Sequence, residues 1–528
     1  MVLELIDPNQ EGPNQEYIVV SVTPDLALDI GYTYAGGLGV LEGDKFYAAA
    51  TLGLRYITFC LYYDQGYVAY DFDSDDNPIP KPQTQPEEFI KSLRSEGTFK
   101  IKLRGEDVSV EVLSYIYKTA KAVFLKPESP QWASQLTKRL YIEGDVEERF
   151  YKYTLFAKAV AEYIKEYLPV YDIAFIDLQE AYTAFLPLIL KIPGRYRLVI
   201  HTAGIWGHPS FPRNLIYSEY GYKLIPPEVV LTDVGLAASS QAFAVSAKHL
   251  DILLKIFPHF SEKLSYITNG INIERWMYPA LKDTYESHKL TLDSLPIIKE
   301  KAKKELEDFL RNYKDVTLEG KTVVFWGRRL VEYKRPWFVI RLANELDNKD
   351  VIYVLSGKAH PYDGYGLNIM KEFMKLHKKK ENVIYIPEHT VDIAKKVLQG
   401  VDLLLSTPFS GWEACGTSYM KAAVNAVPTI TSRDGGALEL IVHGVNGWFF
   451  GDDIREPIDY TGPEASRIND VEYQEFKNIF LKVVGMMKSN PEGYFRVALS
   501  ALRSFIPRVS MIRVLRDYYP QLIKLPTI

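Results

Sequence analysis

Thr322-Val323-Val324-Phe325-Trp326-Gly327-Arg328-Arg329-Leu330-Val331-Glu332-Tyr333-Lys334-Arg335-Pro336 joins a β-branched and aromatic run to a loop with four cations in eight residues. Residues 322–326 read as a strand. The loop then lies at the carboxyl end of that strand, where open α/β sheets keep their ligand crevice. Arginine offers oxyanions a planar fork and lysine a point charge, so this density of cations suits phosphate. Taken alone, the loop reads equally well as an exposed basic segment paired with Glu332.

Outward from this string, short β-branched runs alternate with amphipathic stretches in two series, the pattern of an α/β fold with parallel sheets. The first series spans residues 17–276, with strands at 17–22, 173–178 and 197–201. The second begins near Lys321 and adds strands at 351–356, 383–386, 402–406 and 428–431. Residues 281–313 are rich in lysine and glutamate with helical periodicity and read as a connector. Helical runs at 494–505 and 511–522 close the chain, and their return to the first domain is left open by the sequence. The expected division is an N-terminal α/β domain at 1–280, a helical connection at 281–320, a C-terminal α/β domain at 321–490 and closing helices at 491–528.

A second string, Glu413-Ala414-Cys415-Gly416-Thr417-Ser418-Tyr419-Met420-Lys421, places a Gly-Thr turn before a run of helix formers at 418–426. The N–H groups of a first helical turn point together and favour an anion. Lys421 falls about one turn in, where an amine beside a bound phosphate can link to a phosphorylated aldehyde such as pyridoxal phosphate. Without its surroundings it reads as a solvated helix lysine. Ala35-Gly36-Gly37-Leu38-Gly39 permits close backbone approach to phosphate or sugar oxygens, though many turns need such glycines. Ile200-His201-Thr202 follows a strand, where a lone histidine is more often structural. Thr268-Asn269-Gly270-Ile271, before Arg275-Trp276, reads alone as an Asn-Gly turn.

Composition sets the outer limits. The 528 residues exceed what one hydrophobic core organises, so at least two domains are expected. A net charge of −5 leaves no basic footprint for nucleic acid. Cys60 and Cys415 are too few for a disulfide framework and favour a reducing compartment. The acidic, proline-containing residues 1–17 lack the features of a secretory signal, and residues 173–192 are interrupted by Asp177, Gln179 and Glu180, so they read as a buried strand and helix instead of a membrane span. The expectation is a cytoplasmic enzyme with no metal and no membrane partner. Its oligomeric state, homo-oligomers included, is left open.

In sequence order these strings resemble the α-glucan (glycogen/maltodextrin) phosphorylase family in a short form, over about residues 33–448. The lysine string resembles Glu-Ala-Ser/Cys-Gly-Thr-x-x-Met-Lys followed four residues later by asparagine, here Asn425. The cationic string resembles Arg-x-x-Glu-Tyr-Lys. The resemblance implies two Rossmann-like, doubly wound domains facing a central cleft, a GT-B-type glycosyltransferase fold. It implies pyridoxal 5'-phosphate on Lys421, with Gly416, Thr417, Arg328 and Trp276 beside it. Arg329 and Lys334 would hold the substrate phosphate and Glu413 sugar hydroxyls. The His201 backbone would contact glucose, with Gly36, Gly37, Asn269 and Cys415 completing the sugar site. The implied reaction is reversible phosphorolysis of an α-glucan or maltodextrin by inorganic phosphate to glucose 1-phosphate, with retention.

The chain departs from that pattern in several places. Tyr182 stands where Leu-Asn-Asp-Thr-His-Pro has its histidine, which touches acceptor recognition. Ala35, Tyr419 and Ala426 replace an asparagine, a small or polar residue and a glycine. Residues 428–441 resemble sugar-nucleotide-dependent glycosyltransferases as much as phosphorylases. Two alternatives therefore stay open: a retaining glucosyltransferase that uses a sugar nucleotide, and a non-catalytic carbohydrate-binding relative.

Overall fold

The computed structural model describes residues 17–204, 207–346, 348–456 and 458–523. The reading of residues 1–16 lies outside the described residues, as does that of 524–528.

Nine strands form the first sheet. They are β1 (Ile18–Val22), β2 (Arg55–Leu61), β5 (Arg94–Leu103), β6 (Glu106–Tyr117), β7 (Ala120–Ser129), β8 (Ile173–Gln179), β9 (Tyr196–Val199), β12 (Gln241–Ala244) and β13 (Leu264–Tyr266). Two hairpins, β3 (Ala69–Phe72) with β4 (Pro78–Lys81) and β10 (Ser210–Pro212) with β11 (Glu228–Val230), stand apart from it. The sheet order is β13-β12-β9-β8-β1-β2-β7-β6-β5. Pairing is parallel from β13 to β7 and antiparallel from β7 through β6 to β5.

The antiparallel extension corrects the expectation of parallel sheets alone. Strand β6 buries Val108, Val110 and Val112 and turns the intervening residues toward solvent. That two-residue period belongs to a half-covered antiparallel sheet, and Glu106, Asp107 and Glu111 masked it in a search for apolar runs.

The second sheet contains β14 (Thr322–Gly327), β15 (Val351–Ser356), β16 (Val383–Ile386), β17 (Leu403–Ser406), β18 (Thr429–Ser432) and β19 (Trp448–Phe450). Its order is β16-β15-β14-β17-β18-β19, all parallel. Strand β14 explains the near-continuous apolar sequence, because both of its faces are covered. Val323 and Phe325 enter the core on one face and Val324 and Trp326 the core on the other. Each such fully buried side chain contributes roughly 1.5–3 kcal/mol of transfer free energy.

The connector holds two helices, Pro279–Glu286 and Ser294–Leu310, instead of one continuous helical stretch. Helices Pro463–Ser489 and Pro491–Val509 cover the second sheet, and Met511–Tyr518 then packs on the first. There the Tyr519 hydroxyl donates to Asp177 and Arg197 donates to the Tyr518 carbonyl (2.6 Å each). The β3–β4 hairpin reaches the other way, with the Tyr70 hydroxyl donating to the Ala359 carbonyl (3.0 Å) and Lys371 to Asn77 (2.7 Å).

Candidate active site

In the second sheet the strand order reverses between β14 and β17, and the segments after these two strands therefore diverge and leave a crevice. The segment after β14 carries Arg328, Arg329 and Lys334, and the segment after β17 carries Glu413 to Thr417. The first sheet presents its carboxyl ends to the same space, through Asp25 and Gly36 after β1, Glu180 and Tyr182 after β8, His201 after β9 and Asn269 after β13. Together they enclose a cavity of about 580 Å³.

Every residue singled out from the sequence borders this cavity: Gly36, Gly37, His201, Asn269, Trp276, Arg328, Arg329, Lys334, Glu413, Cys415, Gly416, Thr417 and Lys421. Gly36 caps helix Gly37–Thr51, so Gly37 and Gly39 lie inside the helix start and not in a free loop. A side chain at Gly36 would press on Arg329, 3.3 Å away. That glycine lets the arginine cross to the first sheet.

Charge is unevenly matched here. Glu413 lies 3.2 Å from Arg328 and 3.8 Å from Lys334, and Arg329 has no carboxylate within ion-pair distance among the described residues. Two of these three cations thus share one carboxylate, and the third has no ion-pair partner among the described residues. Burial raises the Glu413 carboxyl, but Lys334, Arg328 and Arg329 outweigh burial and hold it below its usual range. Burial pushes the Lys334 amine down to about 7, only partly opposed by Glu413. One buried guanidinium nitrogen, Nη1 of Arg328, has no hydrogen-bond partner among the described residues. Such an orphan beside surplus positive charge is a site prepared for an oxyanion.

Lys421 lies on the short helix Ser418–Ala423 and is 7 % exposed. Its amine sits 4.1 Å from the centre of the Trp276 ring. Burial lowers it to about 8, with Asp44 opposing the shift. Asp44 is held in turn by Trp276 Nε1 (2.9 Å) and Arg275 (3.0 Å). The buried amine that can lose its proton, the orphaned Arg328 nitrogen and a cavity of ligand size fit a phosphorylated aldehyde.

His201 is engaged differently from a free acid or base. Its Nε2 meets Gln179 at 2.8 Å, its backbone N–H donates to Glu180 (2.7 Å), and burial keeps the ring neutral. Asn269 donates weakly to the Cys415 carbonyl (3.4 Å), tying the first-sheet loop to the lysine string. Burial drives the Cys415 thiol up to about 12, which makes it an inert lining group. Tyr182, which replaces the expected histidine, stacks on Tyr153 at 4.3 Å and borders the cavity.

Sequence reasoning missed several polar groups here. Asp25, pushed up to about 6 by burial, accepts from the Ala35 N–H and the Tyr141 hydroxyl. Glu180 is pushed up to about 7 by burial, partly opposed by the N–H of His201 and by Thr202. Its backbone, at φ 68° and ψ 163°, is in a region costly for any residue but glycine, a strain that clusters at functional sites. Asp434 accepts from the N–H groups of Trp412 (3.1 Å) and Glu413 (2.7 Å), and so holds the Glu413 loop. Asp25 sits in no local pattern, and Glu180 and Asp434 fall inside strings whose resemblance assigned them no role. Only their position after a strand of either sheet marks them.

The family model "Glycosyl transferases group 1" matches residues 309–456, which include all of β14 to β19. The chain is 23% identical to the maltodextrin phosphorylase of Thermococcus litoralis, over 92% of this chain and 68% of that protein. It is 24% identical to the glycogen phosphorylase of Aquifex aeolicus, over 92% and 83% respectively. The chain is similar along most of its length to glycogen and maltodextrin phosphorylases. A glycogen phosphorylase of Mycobacterium tuberculosis matches at 21% over the same share of this chain and 68% of its own length. The phosphorylase relatives thus align along nearly the whole chain.

Proposed function

We propose that the protein is a retaining α-1,4-glucan phosphorylase that transfers a terminal glucosyl unit to inorganic phosphate, giving glucose 1-phosphate. The observation that carries this reading is the set of three cations, of which Arg328 and Lys334 share the carboxylate of Glu413 and Arg329 has no ion-pair partner among the described residues, beside a buried lysine. An excess of fixed positive charge in a water-poor cleft is stabilised by a bound dianion and in turn stabilises the oxocarbenium-like state that forms beside that dianion.

Arg329 and Lys334 bind the substrate phosphate and orient it toward the anomeric carbon. Glu413, Asn269 and the backbone around His201, Gly36, Gly37 and Cys415 hold the sugar, and Tyr182 borders the acceptor side. Lys421, Trp276, Arg328, Gly416 and Thr417 would hold pyridoxal 5'-phosphate. When bound, that group supplies a second phosphate that exchanges a proton with the first. The first-sheet half is the glucan side in this scheme, and the free thiols Cys60 and Cys415 suit a cytoplasmic setting.

Two measurements test it. Arg329→Ala removes a charged donor from the phosphate site, so the KM for inorganic phosphate rises about 10- to 100-fold. An unchanged phosphate KM, or turnover that requires a nucleoside diphosphate sugar and ignores phosphate, overturns the reading in favour of a sugar-nucleotide transferase. Cofactor incorporation, followed as borohydride-stable pyridoxyl label on Lys421, accelerates as pH rises through about 8 and then levels, because only the neutral amine reacts. A midpoint near 10, the range of an ordinary lysine, contradicts the buried environment of this amine.

A further inference from the structure

His389 follows β16 and borders the cavity, but it belongs to none of the strings above. Its Nδ1 lies 2.7 Å from the Ser356 hydroxyl, which itself donates its one hydrogen to the Glu388 carbonyl (2.8 Å). The Ser356 oxygen must then accept from His389, so Nδ1 carries the ring proton and Nε2 presents a bare lone pair. Nε2 has no protein partner among the described residues. Four cations from other elements surround the ring: Arg328 and Lys334 after β14, Lys358 after β15 and Lys421 on its helix. Glu388, the acid on its own loop, pairs with Lys358 at 2.7 Å and accepts from the His389 backbone N–H (2.8 Å) instead of from the ring. Thr390 caps helix Val391–Gly400 and the Tyr34 hydroxyl accepts from the Val391 N–H (3.0 Å), so the loop is fixed on both sides.

Resting on the phosphorylase reading, we propose that His389 is a phosphate ligand that takes a proton through Nε2 when a phosphate group enters the cavity. A monoanionic phosphate loses one proton, its O–H bond breaks, an Nε2–H bond forms, and a dianion is left facing an imidazolium. The imidazolium then donates to the dianion it has produced. Burial and the four cations push the ring down to about 3. A bound phosphate offsets those cations and places a negative charge beside Nε2 in the same buried space, where the attraction is strong enough to oppose the burial penalty, so the proton becomes stable on the ring as the anion arrives. This gives the site a way to convert phosphate to its dianionic form below the pH at which that form prevails in water.

The test is the side-chain nitrogen resonance of His389 in 15N-histidine-labelled protein, assigned by its disappearance in His389→Asn. Spectra are recorded at pH 7 without additions, after loading with pyridoxal 5'-phosphate, and after adding inorganic phosphate to the loaded protein. Cofactor incorporation is followed by absorbance and phosphate binding by calorimetry. A move of Nε2 to the protonated range on loading assigns the cofactor's phosphate as the partner, and a move only on adding inorganic phosphate assigns the substrate. In either case His389→Asn weakens the binding of that phosphate about 10-fold. If both bind and the resonance stays in place, His389 is not the proton acceptor, and the phosphorylase reading stands without it. If neither binds, the phosphorylase reading falls and this proposal falls with it.

Discussion

Lys421→Ala protein retains no borohydride-stable pyridoxyl label and loses phosphorolytic activity by at least about a thousandfold, since the lysine is the only covalent anchor that the proposed cofactor has. Lys421→Arg separates two roles for the side chain. It preserves a positive charge near Asp44 but cannot link to an aldehyde, so it is as inactive as the alanine variant. Appreciable activity in Lys421→Arg would reduce the lysine to a charge in the phosphate site and end the cofactor assignment. Stability moves in the opposite sense from activity. The buried amine sits at about 8 in the folded protein, below its value in an unfolded chain. The folded state therefore pays a full penalty below pH 8, on the order of 3 kcal/mol, which is relieved as pH rises toward the unfolded value. Thermal unfolding without cofactor shows this directly: the wild-type midpoint climbs between pH 8 and 10 more than that of Lys421→Ala.

The parts of this site that were legible in the sequence share one property, which is that local chemistry names them. Strands β15 and β16 stand at the expected residues because their buried runs are unbroken and bounded by polar turns. The cations after β14 and the lysine string after β17 are contiguous and dense. The strand order that sets these segments side by side at the reversal point is written in no single segment. Strands β5 to β7 were hidden because a half-exposed strand spends alternate positions on charge. His389 was hidden for another reason. Its significance depends on Ser356, at the end of the neighbouring strand, and on cations from three other elements, all of which are distant in sequence. Asp434 and Lys248 are the same kind of case, and they connect the two halves of the chain.

Lys248 lies in the first turn of helix Ala247–Ile256, in the first-sheet half, and its ammonium is buried in the other half. It donates to Ser410 (2.8 Å) and the Arg433 carbonyl (3.0 Å) and pairs with Asp434 (3.1 Å) and Asp453 (2.9 Å). Asp434 in turn receives the Glu413 N–H, so a first-half lysine fixes the loop that carries the carboxylate shared by Arg328 and Lys334. Lys248→Met leaves Asp434 buried and uncompensated, a loss expected to cost about 3–5 kcal/mol of stability. A displacement of Glu413 by about 1 Å lowers kcat on the order of a hundredfold. The pH dependence identifies the cause. Burial already raises the Asp434 carboxyl, with Lys248 opposing that rise, so without the lysine it rises further. Its protonation removes the buried charge, and the deficit of Lys248→Met shrinks as pH falls through that raised value and is largest above it. Adding Asp434→Asn to Lys248→Met recovers much of the stability at neutral pH, because the uncompensated charge is gone, but not the activity, because an amide is a weaker acceptor for the Glu413 N–H. A Lys248→Met deficit that is constant from pH 5 to pH 8 would show that the lysine acts by packing alone and that no electrostatic link joins the first half to Glu413.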